Sequence, residues 1–259
     1  LAVLIDNSQT NCQLAPDSSH DSKDHQMREE DRNDIRKLTL FRNMTSTAFD
    51  ELMHAAYDQV FPAQLELVRQ GEAANFLHVV LEGAVELYAN WQDRDTTMAV
   101  VQPVATFILA ACMRDAPYLM SARTLQRSRI VLIPAVDVRA AFSRDPGFAL
   151  ATVQELAEGY RSLVRHAKNL KLRNARERLG AYLLQRSDYA GAQGFVLPQE
   201  KRLLASYLGM TPESLSRAFK ALRDHGVHID GMRVTITDPA ALKALVQTDS
   251  LLDSPLNIP

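Results

Sequence analysis

Glu213 and Arg217 lie four residues apart in the run LGMTPESLSRAF, residues 208–219, just ahead of a basic stretch. On a helix that spacing sets both side chains on one face, one turn apart. A carboxylate so placed can accept from cytosine N4, and a guanidinium can bridge guanine O6 and N7, which gives the pair targets in a DNA major groove. The same two residues also make an ordinary i,i+4 ion pair worth about 0.3 kcal/mol on a solvated surface. The elements that flank them decide which reading holds.

Thr211 is an N-cap type, and Pro212 fits the first helical position, where its missing N–H costs nothing. Leu215, Ala218, Phe219 and Leu222 claim the buried stripe of this helix and leave Glu213, Ser216, Arg217 and Lys220 on the other side. Upstream, Leu203, Leu204, Tyr207 and Leu208 recur at helical spacing after Pro198, and Gly209 ends that segment. Two short helices joined by a glycine-containing turn form a helix-turn-helix. Downstream, GVHIDGMRVTITD alternates apolar and polar residues around Asp230-Gly231, which predicts a hairpin with a type I′ turn. Helix-turn-helix plus hairpin is a winged helix-turn-helix.

The segment FVLPQEKRLLASYLGMTPESLSRAFKALRDHG, residues 195–226, resembles the DNA-binding end of the Crp-Fnr family of bacterial transcription regulators. Glu213, Ser216 and Arg217 match the glutamate, serine and arginine of the family's Fnr-like recognition helices. The likeness extends in weaker form from about residue 38 to about residue 245. It implies a homodimer that binds double-stranded DNA at a near-palindromic operator, with RNA polymerase as a further partner if the protein is an activator. Under that reading Arg217 and Glu213 contact bases and Ser216 a base or phosphate. Lys201, Arg202, Thr211, Lys220 and Arg233 are further candidate DNA-binding residues.

Charge distribution agrees. The net charge is -2, but residues 1–159 carry 14 Lys+Arg against 22 Asp+Glu, whereas residues 160–237 carry 14 against 6. A basic module on an acidic body suits phosphate contacts. At 259 residues and 46% hydrophobic content the chain can build two ordinary cores. It contains no run of about 18 apolar residues, so no transmembrane helix is expected, and two cysteines make no disulfide framework. Cytoplasmic residence follows as the default.

From Val60 to about Pro134 the chain reads as short strands, with Gly71 and Gly83 as turns, which suggests a sandwich or jelly roll. The pattern resembles the cyclic-nucleotide-binding β-roll that forms the sensory half of Crp-Fnr proteins. Members that bind a cyclic nucleotide carry a Phe-Gly-Glu-like turn and an Arg-Ser or Arg-Thr pair. Here Phe107-Ile108-Leu109 and Met120-Ser121 stand in those places, and Arg123 is expected to point to the opposite side of its strand from Met120. Without polar anchors to offset desolvation of phosphate and sugar, cAMP is not expected as effector. Phe107, Ile108, Leu109, Met113, Leu119, Met120 and Ser121 remain as a candidate effector pocket, apolar for the most part, or as filled core.

An iron-sulfur cluster of the Fnr type needs four cysteines and the chain has two, Cys12 and Cys112. Cys112 reads as a small buried residue, with a redox role as the alternative. His78 reads as a core histidine, with haem ligation as the alternative. A cupin-like metalloenzyme built on His78 and Glu82 is a competing class, but such sites need several converging ligands. Otherwise no catalytic residues are expected, and the chain is read as not an enzyme.

Between the halves, Ala149, Val153, Leu156, Tyr160, Leu163, Ala167 and Leu170 alternate steps of four and three after the helix-opening Asp145-Pro146. This reads as the seam of a parallel coiled coil, with Val153, Leu156, Tyr160, Leu163 and Ala167 as the expected dimerisation residues and an amphipathic helix packed on its own domain as the alternative. The expected architecture is α+β. Residues 1–26 form a disordered segment, and Met27 is the suspected start of the biological chain. An effector β-roll spans 27–140 and a dimerisation helix 145–171. A winged helix-turn-helix covers 172–245, followed by a tail, 246–259.

Overall fold

The computed structural model describes residues 27–92 and 94–253. The expected N-terminal disorder, the suspicion attached to the residues before Met27, Cys12 and the last six residues of the tail lie outside them.

Two helices, α1 (Glu29–Lys37) and α2 (Ser46–His54), precede eight strands: β1 (Tyr57–Phe61), β2 (Glu66–Val68), β3 (Phe76–Glu82), β4 (Val85–Trp91), β5 (Arg94–Val101), β6 (Ala105–Phe107), β7 (Ser121–Thr124) and β8 (Ser128–Pro134). A short helix, α3 (Leu109–Arg114), interrupts the strands. They form two four-stranded antiparallel sheets, β1-β8-β3-β6 and β2-β7-β4-β5. Alternation along β3 serves two cores at once: Val80 packs inside the roll with Val85, Leu87, Phe107, Ala122 and Ile130, while Leu77, Val79 and Leu81 pack outward against the helices. That dual burial is why β3 reads as an almost continuous apolar run. Gly71 and Gly83 both adopt left-handed φ (90° and 93°), as the turns require. At Gly83 a Cβ would also collide with Ser128 of β8.

Helix α4 (Ala135–Arg144) ends at Asp145, which caps the 27-residue α5 (Pro146–Leu172). Asp145 accepts from the Phe148 N–H at 2.8 Å and from the N–H and hydroxyl of Thr45 at 2.8 and 2.7 Å. One buried carboxylate therefore starts α5 and ties it to the N-cap of α2. Burial alone would raise its pKa, but these donors outweigh that and hold it below the ordinary carboxylate value.

After α5 come α6 (Ala175–Ala190), β9 (Gly194–Val196), α7 (Lys201–Tyr207), α8 (Pro212–Leu222), β10 (Val227–Asp230), β11 (Arg233–Ile236) and α9 (Pro239–Val246). They share a third core built on Leu179, Leu183, Leu204, Leu215, Leu222, Val234 and Leu242. The wing has a third strand that the sequence did not signal: β9 pairs with β11 in the order β10-β11-β9. The hairpin turn also differs from expectation. Asp230 pairs with Arg233, so the loop residues are Gly231-Met232, and of the two only Gly231 has positive φ, at 58°. That is the sign pattern of a II′ turn, because Asp230 is drawn into the ladder.

Among the described residues no helix is long and apolar enough to cross a membrane.

Candidate nucleic-acid interface

Thr211 caps α8, its hydroxyl oxygen accepting from the Ser214 N–H at 3.2 Å, and Pro212 occupies the first turn. Leu215, Ala218, Phe219 and Leu222 are buried, and Glu213, Ser216, Arg217 and Lys220 are exposed. First-turn N–H donation and the Thr211 hydroxyl keep the Glu213 carboxyl below its usual pKa, so at neutral pH it is an ionised acceptor. The Ser216 hydroxyl donates to the Pro212 carbonyl at 3.0 Å, which leaves its lone pairs free to accept. Arg217 makes no salt bridge among the described residues.

The other candidates are spread around this face. Arg233 is exposed on the wing strand β11, and Lys201 is exposed at the start of α7. Arg202 lines a cleft between α7 and the roll, together with Gln64, Gln102, Gln126 and Gln199. Thr211 is engaged as a helix cap.

The winged module also touches the outer face of the β2-β7-β4-β5 sheet. The Thr97 N–H on β5 donates to Ser206 Oγ on α7 at 2.8 Å. Beneath that contact lies a charged group that sequence reasoning missed. Glu86, almost fully buried, accepts from Thr97 Oγ1 at 2.6 Å and from Arg123 Nε at 2.7 Å. Arg123 also bonds Asp95 at 3.0 Å and lies over the Tyr88 ring at 4.3 Å. Cross-strand pairing of Glu86 with Arg123 puts both on the outer face, so Arg123 points away from the roll interior.

The expected effector pocket does not form as one cluster. Phe107, Ile108 and Met120 belong with the roll interior, whereas Leu109 and Met113 belong to the core under the helices. Ser121 lies on the outer side and accepts from the Gln70 N–H at 2.9 Å. Leu119 is 84% exposed. The division follows from α3: it begins directly after β6 and carries Leu109 and Met113 out of the roll.

His78 lies inside the roll, opposite Phe107 in register and stacked on its ring at 4.7 Å. It is 3% exposed, its Nδ1 has no hydrogen-bond partner among the described residues, and burial depresses its pKa to about 4. Glu82, at the exposed end of the same strand, faces Arg28 at 3.3 Å. Among the described residues no three His, Cys, Asp or Glu side chains converge as metal ligands. The Cys112 thiol is buried and its pKa is pushed up to about 11, the state of an inert core residue.

On α5 the seam residues Val153, Leu156, Tyr160, Leu163 and Ala167 are all exposed on the single chain, Tyr160 by 69%. Among the described residues nothing covers this apolar stripe.

Residues 58–145 match the model of the cyclic nucleotide-binding domain, and residues 177–245 match the Crp-like helix-turn-helix domain. A probable transcriptional regulator, Flp, of Lacticaseibacillus casei is 26% identical over 188 residues, 72% of this chain and 85% of the relative. Among solved structures, a candidate cAMP-binding regulatory protein from Silicibacter pomeroyi DSS-3 is 28% identical and covers 85% of this chain and 100% of its own, with a TM-score of 0.57. FixK2 from Bradyrhizobium japonicum is 23% identical over 75% of this chain and 98% of its own, with a TM-score of 0.67, a likeness of fold alone.

Proposed function

From the premise that this chain belongs to the Crp-Fnr family of transcription regulators, we propose that it acts as a homodimer on a near-palindromic operator, gated by an effector other than cAMP. The observation that carries the DNA-reading part is the exposed face of α8, where among the described residues Glu213, Ser216 and Arg217 have no hydrogen-bond or ion-pair partner beyond the helix and its Thr211 cap. Arg217 and Glu213 read base edges, Ser216 a base or phosphate, and Lys201, Arg202, Lys220 and Arg233 contact phosphate or groove. Thr211 presents the helix start.

The exposed α5 seam supports the dimer. Two copies of α8 related by a dyad then address half-sites about one helical turn apart. Leu163→Lys is expected to turn the dimer into a monomer at micromolar concentration in light scattering, since it sets two ammonium groups face to face in the seam. A Leu163→Lys protein that stays dimeric places the contact elsewhere.

The absence of cAMP chemistry is supported by Arg123. The one arginine near the family's phosphate-binding position is held on the outer face by Glu86 and Asp95. Leu109 stands where the glutamate of the family's Phe-Gly-Glu turn would be, and it packs into the core under the helices.

Selection from a randomised DNA pool at fixed salt, with sequencing of the bound fraction, tests the proposal: a palindrome should emerge. On that site Arg217→Ala is expected to cost about 1–3 kcal/mol and to relax discrimination at one base pair, whereas Lys220→Ala weakens all sequences alike and lowers the salt slope. Equal losses for Arg217→Ala on selected and scrambled DNA would refute base reading by Arg217.

A haem-dependent sensor is the second reading, favoured by the unpaired Nδ1 of buried His78. It requires Phe107 to leave its stack, and a Soret band on haem addition that vanishes in His78→Leu tests it.

A further inference from the structure

The junction between α5 and the winged module carries a clamp that the DNA-reading face does not need for its own contacts. Arg178, near the start of α6, meets no carboxylate among the described residues. Its guanidinium donates instead to three carbonyls from two other segments: Nη1 to Arg173 at 2.7 Å, Nε to Leu208 at 2.8 Å and Nη2 to Gly209 at 3.2 Å. Arg173 is the C-cap of α5, Leu208 is the C-cap of α7, and Gly209 is the turn residue that leads into α8. One side chain thus satisfies the ends of two helices and fixes the turn between α7 and α8. Partial burial lowers its pKa, and the three carbonyl dipoles act against that desolvation.

Two neighbours tighten the same junction. Gly209 has a φ of 63°, and a Cβ there would come within 2.8 Å of Leu170 Cδ2, so the last turn of α5 rests directly on the helix-turn-helix turn. His166 and Tyr207 pack ring to ring at 5.1 Å on the same side. The chain also returns after α9. Asp253 makes a two-point contact with Arg173, both bonds 2.6 Å, and its Oδ2 accepts from the Asp249 N–H at 2.9 Å. Both partners of that pair are nearly buried.

We propose that Arg178 is a positioning residue for operator recognition: with the Arg173–Asp253 pair, it fixes the angle at which α7 and α8 leave the dimerisation helix, and so sets the half-site spacing the dimer accepts. The inference rests on the dimeric, operator-reading function proposed above. Lever geometry supplies the reason. Each recognition helix hangs from its own junction, so a change of angle there alters the separation of the two α8 helices, while the face that reads bases stays intact.

The test measures binding of full-length wild type, Arg178→Lys, Arg178→Met and Asp253→Asn to the selected half-sites separated by a graded series of spacer lengths. Wild type should show one sharp optimum. Arg178→Met should lose about tenfold in affinity at that optimum, with a smaller loss at neighbouring spacings, so that the preference flattens. Arg178→Lys should fall between, because an ammonium cannot bridge three carbonyls in fork geometry. Asp253→Asn should shift the profile in the same direction by less, and with Arg178→Lys it carries the test if Arg178→Met does not fold. Variants that are dimeric and keep the wild-type spacing profile, whatever their overall affinity, overturn the inference alone. A wild type with no preferred spacing overturns the dimeric reading, and the inference with it.

Discussion

Arg123→Ala is expected to lower the unfolding free energy by about 3–5 kcal/mol, read by urea denaturation followed by circular dichroism. Glu86 is 1% exposed, and its two oxygens accept from Thr97 Oγ1 and Arg123 Nε. Removing the guanidinium leaves a carboxylate in the sheet face with one hydroxyl donor and no counter-charge. The cost is that of an orphaned buried charge, which is larger than the net worth of the pair. The double variant Glu86→Leu/Arg123→Met should therefore recover a large part of the loss, because both charges go together. Thr97 also donates its N–H to Ser206 of α7, so the single variant should loosen the seat of the winged module on the roll and raise protease sensitivity near α7. A loss below about 1 kcal/mol would show that water reaches Glu86 and the pair is a surface one.

The second large effect is a pH dependence centred on His78. The unfolded chain takes up a proton at this imidazole as pH falls below about 6.5, whereas the folded protein resists until about pH 4. Between those values the unfolded state binds more protons, so stability falls as pH falls, by about 3 kcal/mol over the whole window. His78→Leu keeps an apolar side chain against Phe107 and should flatten most of that slope. His166, partly buried and depressed by desolvation, adds a smaller contribution of the same sign, which the variant retains. Two carboxylates act in a separate range: Asp31 and Asp145 have lowered pKa values, so their stabilisation is lost only as pH drops below about 4. Glu155, raised by burial and by the nearby Glu158, acts above its ordinary value with the opposite sign to His78, and the variant retains that contribution too. An unchanged slope between pH 6.5 and 4 in His78→Leu would mean that His78 is hydrated in the folded protein.

Much of the architecture was legible because it is written in local periodicity. The heptad steps from Ala149 to Leu170, the helix start at Thr211-Pro212 and the buried stripe of α8 each follow from side-chain spacing along one element. Glu213, Ser216, Arg217 and Lys220 were found for the same reason, since a solvent-facing helix surface is set once its apolar stripe is known. The strand region could be read as strands, but its two faces could not be assigned. Whether Leu109 and Met113 share a pocket with Phe107 depends on where α3 leaves the roll, and Leu119, apolar in a run of apolar residues, proves to be 84% exposed. The third wing strand, β9, was missed because three residues carry too little alternation to register. At the wing turn, Asp230-Gly231 was the stronger dipeptide signal, yet cross-strand pairing moved the loop one residue onward.

What the sequence alone determined is therefore the long helices and their apolar stripes, the family likeness and the exposed face of α8, because each depends on residues within one or two helical turns of one another. Tertiary structure decided the rest. It placed Arg123 on Glu86, 37 positions away, Arg178 on the carbonyls of Leu208 and Gly209, 30 and 31 away, and Arg173 on Asp253, 80 away. A guanidinium has no sequence period of its own; its partner is whichever oxygen the packing of distant elements brings within about 3 Å, and only the folded chain specifies which that is.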